Sequence, residues 1–274
     1  MLRETVWDWS RPYWVGVVNV TPDSFSDGGE FEKVHDALRH GAQLIEDGAD
    51  LLDVGGESTR PTGAVSVSAK EEISRVVPVI EGIRRSFSTP ISVDTTKSEV
   101  AEAAIEAGAD VVNDISGGLF DPLMAGVCAD AGVAYVCGHV RGNSLSEVHS
   151  APVPSFDELV QELGLRVASL PESLRTRTIV DPGVGFGKDT EANLIICSRI
   201  GELRDAVQCP TMVGVSRKRF LGDLTGRPAP QRDDEKVGAS LAVIDRGAQL
   251  VRVHSVAALR SAYIAYSSSL RGVK

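Results

Sequence analysis

The segment VGVVNVTPDSFSDGG occupies residues 15–29 and sets the interpretation of the whole chain. Its first part is a short apolar run, which is typical of a strand buried on both faces of a parallel sheet. Asn19 and Thr21 stand where this strand ends, and the Pro, Asp, Ser and Gly residues that follow predict a turn-rich loop around Phe25. An aromatic side chain there fits an ordinary loop packed on the core or a binding loop that covers a ligand. The segment alone leaves both interpretations open.

The same unit, an apolar strand followed by a polar loop and an amphipathic helix, recurs along the chain. Eight strands are predicted, at residues 15–19, 51–54, 91–94, 111–114, 134–137, 178–181, 211–215 and 250–254. Helical patterns fill the intervals, including one continuous helix over residues 191–203. Strict alternation implies parallel strands joined by helical crossovers. Eight units in 274 residues favour a closed (β/α)8 TIM barrel of the α/β class, with a doubly wound open sheet as the alternative.

No change of composition marks a second domain. We therefore expect a short N-terminal leader at residues 1–11, packed on the barrel through Trp7 and Trp9, and a single barrel domain over residues 12–274. The net charge of -10 argues against nucleic acid and anionic membranes, which need a surplus of Lys and Arg. No apolar run approaches the length of a membrane span, and no secretion signal is recognisable. The four cysteines form no CxxC pair, so we expect reduced thiols in a cytoplasmic protein.

Polar side chains close or follow nearly every predicted strand, which suggests one shared pocket at the carboxyl ends. These residues are Asn19, Asp53, Asp94, Asn113, Asp114, His139, Asp181, Ser216 and His254. Among them, Asp94, Asn113 and Asp181 end three different strands, so a barrel would direct them into one cavity. Two carboxylates and an amide can bind a planar heterocycle that carries amino and ring N–H donors. Helix capping and a metal site are the alternatives, and the metal site is weaker because further ligands are lacking.

Two glycine-containing loops follow strands. The segment DPGVGFGKDT at residues 181–190 superficially resembles a phosphate-binding loop, but GxxxxGK[ST] would need Gly in place of Pro182 and Ser or Thr in place of Asp189. We therefore interpret it as a loop that brings backbone and Phe186 against a flat ring. The segment GGESTRP at residues 55–61, taken alone, is better explained as a flexible loop with a solvated Arg60.

The last two strands carry cations. The run RKR at residues 217–219 could bind an anion at a helix start, although a solvated basic helix start explains it equally well. Arg252 and His254 are two residues apart in the final strand, so both side chains face the cavity. The final strand neighbours the first in a barrel, which brings Asn19 beside this pair. Together these residues suggest a pyrophosphate and metal site.

In combination, these stretches closely resemble the dihydropteroate synthase family, the pterin-binding enzymes of folate synthesis. The resemblance covers nearly the whole chain and rests on separate motifs in the family's order. They are NVTPDSFSDGG at 19–29, DVGGESTRP at 53–61, SVDT at 92–95, VNDISGG at 112–118, the loop at 181–190, SRKRFLG at 216–222 and RVH at 252–254. The resemblance implies condensation of (7,8-dihydropterin-6-yl)methyl diphosphate with 4-aminobenzoate to give 7,8-dihydropteroate and pyrophosphate. It also implies a (β/α)8 barrel, Mg²⁺ and a homodimer.

The resemblance further implies a role for each matching position. The pterin would be held by Asp94, Asn113 and Asp181, and its pocket would be lined by Phe186, Gly214 and Lys218. Asn19 would coordinate Mg²⁺, while the diphosphate would be bound by Asn19, Arg252 and His254. The aminobenzoate side would be formed by Phe25, Thr59, Arg60, Pro61, Lys218 and Arg219. The expected catalytic residues are Lys218, Asp94 and Asp181.

The implied chemistry agrees with these residue types. Diphosphate bound to Mg²⁺ and to fixed cations is a good leaving group, and ionised Asp94 and Asp181 would stabilise the positive charge left on the pterin methyl group. The hypothesis is therefore a dissociative displacement in which the aromatic amine attacks late. Two positions depart from the family pattern: Gly138 replaces the usual Met, which would thin an apolar wall, and Ser255 replaces the usual Asp. A catalytically silent pterin-binding paralogue and a pterin-dependent methyltransferase are the alternative functions.

Overall fold

Eight parallel strands form one sheet in the computed structural model, which describes residues 7–21, 30–58, 67–216, 218–228 and 231–271. The strands are β1 (Tyr13–Asn19), β2 (Leu51–Gly55), β3 (Ile91–Asp94), β4 (Val111–Asp114), β5 (Ala134–Gly138), β6 (Thr178–Asp181), β7 (Met212–Val213) and β8 (Leu250–Val253). They are hydrogen-bonded in the order β6-β5-β4-β3-β2-β1-β8-β7. An isolated parallel bridge between Val180 and Thr211 joins the β6 and β7 ends of this order. The predicted (β/α)8 barrel is confirmed, and the open doubly wound sheet is excluded.

Helices cover the outside of the barrel. They are α1 (Glu30–Glu46), α2 (Ala69–Ser86), α3 (Ser98–Glu106), α4 (Met124–Ala131), α5 (Leu145–Val148), α6 (Phe156–Ser169), α7 (Glu172–Arg175), α8 (Thr190–Ser198), α9 (Ile200–Val207), α10 (Arg219–Thr225), α11 (Asp233–Asp245) and α12 (Val256–Arg271). Local signals set several starts: the Ser68 side chain caps α2, and Ser155 with Glu158 forms a capping box at α6. None of the helices in the described ranges combines the length and apolar character needed to cross a bilayer.

The single helix predicted over residues 191–203 is wrong, because the chain forms α8 and α9 there. The backbone leaves helical geometry at Arg199, with φ -119° and ψ 23°. Ile196, Ile200 and Leu203 are buried on both sides of this break at helical spacing. The apolar pattern therefore continues across the turn and conceals it. The break coincides with the Arg199 guanidinium lying 3.9 Å from the centre of the Phe156 ring.

Successive side chains along each strand point to opposite faces of the sheet, which gives one core inside the barrel and another between the barrel and the helices. Side chains such as Val15, Leu51, Val111 and Ile179 pack together inside the barrel, while their sequence neighbours pack against the helices. At the amino end, Trp7 packs on Tyr13 with ring centres 5.2 Å apart. The described part of the N-terminal leader thus covers the end of the barrel opposite the carboxyl ends of the strands. The division into a leader and a domain over residues 12–274 stays a prediction.

The four cysteines are free thiols, and Cys128, Cys137 and Cys209 are buried. Burial raises the pKa of the Cys128 thiol and of the Cys137 thiol to about 12. Both are therefore protonated and unreactive near neutral pH. This agrees with the expectation of reduced thiols in the core.

Candidate active site at the carboxyl ends of the strands

The period of two along each strand selects which polar residues enter the cavity. A polar residue that lies an even number of positions after an inner-core side chain of its strand faces the cavity, as Asp181 does after Ile179 and Arg252 does after Leu250. The same count assigns Asn113 to the cavity, two positions after Val111. The remaining members of this set at the ends of the strands are Asn19, Asp53, Asp94, Gly214, Ser216 and His254.

Two of the strand-end polar residues do not belong to this pocket, so the expectation of one shared pocket is wrong for them. Asp114 is buried on the outer face and accepts hydrogen bonds from the amides of Ser116 and Gly118 and from the Tyr135 hydroxyl. His139 is also buried on the outer side, with Nε2 2.9 Å from Glu162 of α6. Both lie at odd spacing from inner-core residues, which turns them towards the helices.

Arg252 is the centre of the cavity network. Its Nε donates to Oδ2 of Asp53 at 2.6 Å, and its Nη2 donates to Oδ2 of Asp94 at 2.7 Å. The Asn113 side-chain amide donates to the same Asp53 oxygen at 3.1 Å. Asp53 is 1% exposed, so this carboxylate depends on Arg252 and Asn113 for its polar contacts. Asp94, Asn113 and Arg252 are thus brought together as predicted, and Asp53 is an additional member to which the family resemblance assigned no role.

Burial changes the proton affinity of the groups around this network. It raises the pKa of Asp94 to about 7, against the opposing effect of the Arg252 charge. Burial also raises the pKa of Asp181, although its Oδ1 accepts the Gly183 amide at 2.7 Å. The pKa of Lys218 is lowered to about 8 by burial, opposed by the charge of Asp181. Asp94 and Lys218 therefore change protonation state near neutral pH.

Lys218 and Arg219 are adjacent in sequence, but their side chains lie in different surroundings. Lys218 Nζ lies 3.8 Å from the centre of the Phe186 ring, so these two predicted pocket residues are in contact. The Arg219 side chain is 86% exposed, and its Nε lies 3.8 Å from Asp223. The structure therefore brings Lys218 to the cavity and leaves Arg219 in solvent. Phe25, Thr59, Arg60 and Pro61 lie outside the described residues.

The loop after β6 presents carbonyl oxygens to a cation. The Lys188 ammonium group donates to the carbonyl oxygens of His139, Gly183 and Phe186 at 3.1, 3.0 and 3.1 Å. A phosphate-binding loop does the opposite, because it directs backbone N–H groups at an anion. The interpretation of residues 181–190 as something other than a phosphate loop therefore agrees with the geometry.

His254 is oriented by a neighbouring strand. Its Nδ1 lies 3.0 Å from the Ser216 hydroxyl, and β7 and β8 are paired in the sheet. A hydrogen bond at Nδ1 fixes the ring plane and leaves Nε2 as the atom directed elsewhere. Ser216 follows the seventh strand in the SRK motif, so the position was visible in the sequence while the partnership was not.

The base of the loop after β2 is tied down by charged residues. Glu57 accepts the Val67 amide at 3.0 Å through Oε1, and its Oε2 accepts from Lys97 at 2.8 Å. Lys97 also donates to the buried carboxylate of Glu72 at 2.6 Å. The two described ends of this loop, around residues 57 and 67, are therefore held together by a side chain from the GGES motif.

Gly138 is explained by backbone packing. A Cβ at this position would lie 2.4 Å from the Ile115 carbonyl oxygen and 2.5 Å from its Cα. The Gly138 carbonyl also accepts a 2.8 Å hydrogen bond from Arg166. The departure from Met therefore marks a close approach of two chain segments, which the sequence interpretation of a thinner wall did not include.

No group of three or more His, Cys, Asp or Glu side chains suited to a metal ion occurs within the described ranges. Asn19 ends β1 opposite Gly55 in the strand register and carries an amide oxygen, a hard ligand of the kind that Mg²⁺ accepts. Mg²⁺ in phosphate sites commonly takes one or two protein ligands and completes its sphere with water and phosphate oxygens. The residues present fit that kind of site and not an all-protein cage.

Comparison with known proteins relates this geometry to a family. The sequence profile described as pterin binding enzyme matches residues 15–254. A dihydropteroate synthase from Synechocystis is 39% identical over 268 residues, covering 93% of this chain and 90% of the relative. The chain belongs to the dihydropteroate synthase family. The family resemblance inferred from the motifs is therefore confirmed.

Solved structures of the family share the whole fold. A Xanthomonas albilineans dihydropteroate synthase with 4-aminobenzoic acid aligns with a TM-score of 0.85 at 41% identity, over 98% of this chain and 96% of that one. The same enzyme in complex with 7,8-dihydropteroate aligns with a TM-score of 0.83 at 38% identity, over 100% and 98% of the two chains. Dihydropteroate synthases are transferases of folate synthesis, which agrees with the predicted class of enzyme.

Proposed function

We propose that this protein condenses (7,8-dihydropterin-6-yl)methyl diphosphate with 4-aminobenzoate and releases 7,8-dihydropteroate and pyrophosphate. The observation that carries the proposal is the part-buried cluster of Asp94, Asn113, Lys218 and Arg252 at the carboxyl end of a barrel of the dihydropteroate synthase family. Carboxylates for a heterocycle and cations for a diphosphate lie within one cavity. A methyl transfer has no diphosphate to hold, and a silent paralogue would not need these cations.

The pterin side would be formed by the acidic half of the cavity. Asp94 and Asp181 accept hydrogen bonds from the amino and ring N–H groups, and Asn113 supplies the amide between them. Asp181 keeps one oxygen for the Gly183 amide, which fixes its orientation before the substrate binds. Phe186, Gly214 and Lys218 complete the pocket, with the Phe186 ring as an apolar wall. These assignments are supported by the position of each residue at an inner-facing strand end or on the loop beside it.

The diphosphate side would be formed by Asn19, Arg252 and His254. Arg252 carries a permanent charge beside the anion, and His254, oriented by Ser216, donates or accepts at Nε2. A divalent metal, which we propose to be Mg²⁺ held through Asn19 and the phosphate oxygens, would lower the charge of the leaving group. Departure of the diphosphate leaves positive charge on the pterin methyl group, and the ionised Asp94 and Asp181 stabilise it. The amine nitrogen of 4-aminobenzoate then forms the new C–N bond and loses one proton. Because the C–O bond to the diphosphate breaks first, the displacement is dissociative.

The aminobenzoate side is proposed from sequence positions together with Lys218. Phe25, Thr59, Arg60 and Pro61 belong to it by family resemblance, and Arg219 directly follows Lys218 in the chain. Its high exposure leaves the Arg219 guanidinium available to a carboxylate that enters from solvent.

The proposal is tested by pyrophosphate release from the purified protein with the pterin diphosphate and Mg²⁺. We expect release to depend on 4-aminobenzoate and to produce dihydropteroate in equal amount. Tight pterin binding without product would favour the silent paralogue, and methyl transfer to a corrinoid would favour the methyltransferase. Either result would contradict the proposal.

The dependence of kcat/KM for the pterin diphosphate on pH should be bell-shaped. Asp94 must be ionised, so activity falls as the pH drops below its pKa of about 7; Lys218 must be protonated, so activity falls as the pH rises above its pKa of about 8. Asp94→Asn should lower activity and remove the acid limb while it keeps the alkaline limb. An acid limb that is unchanged in Asp94→Asn would assign that ionisation to another group.

We further propose a homodimer in the cytoplasm with small-molecule substrates as the ligands. The free cysteines support the cytoplasmic location. Sedimentation equilibrium of the full chain measures the oligomeric state directly. A monomer at micromolar concentration would contradict the homodimer.

A further inference from the structure

Lys188 is a part-buried cation that the proposed chemistry does not use. Its ammonium group has three N–H donors, and three backbone carbonyl oxygens lie at 3.0–3.1 Å from Nζ. Among the described residues, the hydrogen-bond acceptors of this nitrogen are all backbone carbonyl oxygens. Burial lowers the pKa of Lys188 to about 7, and the negative charge of Asp181 opposes this shift. The donors of the ammonium are therefore matched by main-chain acceptors and not by a counter-ion.

The loop is shaped to point these carbonyl groups inward. Gly183, Gly185 and Gly187 have φ of +66°, +82° and +61°, the left-handed region in which glycine is favoured. Asn193 of α8 fixes the same loop from outside, since its Oδ1 accepts the Gly185 amide at 2.7 Å and its Nδ2 donates to the Lys188 carbonyl at 3.1 Å. The loop therefore forms a cavity for a cation, which the chain fills with its own side chain.

The three carbonyl groups come from two different walls of the proposed pterin pocket. His139 follows β5, whereas Gly183 and Phe186 follow β6. Gly183 also donates to Asp181, and the Phe186 ring contacts Lys218. One ammonium group thus links the backbone behind the acidic residue to the backbone that carries the aromatic wall.

We propose that Lys188 is a positioning residue for pterin binding, whose ammonium group holds the 183–187 loop against the exit of β5. This inference rests on the proposed function, because it assigns the loop to the pterin side of the cavity. An uncharged side chain leaves three carbonyl groups converging without a donor, and their mutual repulsion opens the loop. Phe186 and Asp181 then lose their relative position, while Arg219 on the aminobenzoate side keeps its solvent-exposed place beside Asp223.

The experiment measures binding of the pterin diphosphate by calorimetry and the KM for 4-aminobenzoate. The wild type is measured first, because a failure to bind the pterin diphosphate would overturn the proposed function itself. In Lys188→Met we expect the Kd for the pterin diphosphate to rise at least tenfold and the KM for 4-aminobenzoate to stay within twofold. Lys70→Met, a change at an exposed lysine of α2, is the matched control and should leave both constants unchanged.

Chemical rescue distinguishes the ammonium from general packing. Propylammonium matches the atoms removed in Lys188→Ala, so millimolar propylammonium should restore at least half of the lost affinity for the pterin diphosphate. The neutral analogue 1-propanol should restore none. A Lys188→Met variant that binds as tightly as the wild type, or equal rescue by both compounds, would overturn the inference.

A measurement on the wild-type protein tests the inference even if the Lys188 variants do not fold. The ¹⁵N signal of the Lys188 ammonium should shift when the pterin diphosphate saturates the protein, since the ligand tightens the loop around it. The Lys70 ammonium signal serves as the internal reference. A Lys188 signal that stays unchanged at saturation would contradict a positioning role.

Discussion

Replacement of Arg252 by Met is expected to lower kcat/KM for the pterin diphosphate at least a thousandfold, which corresponds to about 4 kcal/mol. The guanidinium lies between Asp53 and Asp94, with contacts of 2.6 and 2.7 Å, so its loss leaves two cavity carboxylates without their shared cation. The proposed diphosphate site also loses its permanent charge. Breaking a buried pair from one side typically costs about 3–5 kcal/mol, so the free energy of unfolding should fall as well.

Urea denaturation and steady-state kinetics measure the two effects separately. The matched control is Arg39→Met on α1, where the arginine side chain is 72% exposed and, among the described residues, pairs with the nearby Asp36. Such a pair contributes about 0–1 kcal/mol, so the control should be close to wild type in both measurements. Arg252→Lys should recover only part of the stability, because one ammonium cannot bridge both carboxylates as Nε and Nη2 of the guanidinium do. Wild-type kcat/KM in Arg252→Met would remove Arg252 from the diphosphate site.

Asp181→Asn is expected to lower kcat about a hundredfold to a thousandfold, or about 3–4 kcal/mol, with little change in stability. The substitution is nearly isosteric, and the amide oxygen of Asn still accepts the Gly183 N–H that Asp181 accepts at 2.7 Å. The loop therefore keeps its hydrogen bond, while the cavity loses one negative charge. If that charge stabilises the pterin methyl cation, the loss falls on the chemical step and not on folding.

Single-turnover kinetics with saturating pterin diphosphate measures this step directly. Asp157→Asn makes the same chemical change on a side chain that is 90% exposed, so it should leave the rate unchanged. A rise in KM at constant kcat in Asp181→Asn would show that the carboxylate only binds the pterin. That outcome would contradict its proposed role in the displacement.

The cavity residues were predictable because two periodic rules act together. Apolar runs fixed the strands to within about two residues, and the period of two then decided which polar residue at each end faces inward. Asn113 and Asp114 are adjacent and equally polar, yet only Asn113 enters the cavity. The same parity, counted from the inner-core residue Val136, turns His139 away from the pocket.

The partnerships between these residues were not predictable in the same way. The hydrogen bond from Arg252 to Asp53 joins positions 199 apart, and no local pattern encodes it. Lys188 was visible in the Gly-rich loop, but its three acceptors depend on glycine dihedral angles and on the exit of β5. The break between α8 and α9 was not predictable, because the buried residues Ile196, Ile200 and Leu203 keep helical spacing across it.

The extent of pairing between neighbouring strands differs around the barrel. β1 and β2 share five register pairs, whereas β6 meets β7 through the isolated bridge between Val180 and Thr211. Asp181 lies directly beyond this seam on one side, and Gly214 and Lys218 lie on the other. A pterin bound as proposed would contact residues on both sides of the junction between β6 and β7 and would hold these two strands together. In each catalytic cycle the junction between β6 and β7 would be stabilised when the pterin binds and would lose this stabilisation when dihydropteroate leaves. The substrate would therefore contribute to the stability of the barrel for part of the cycle.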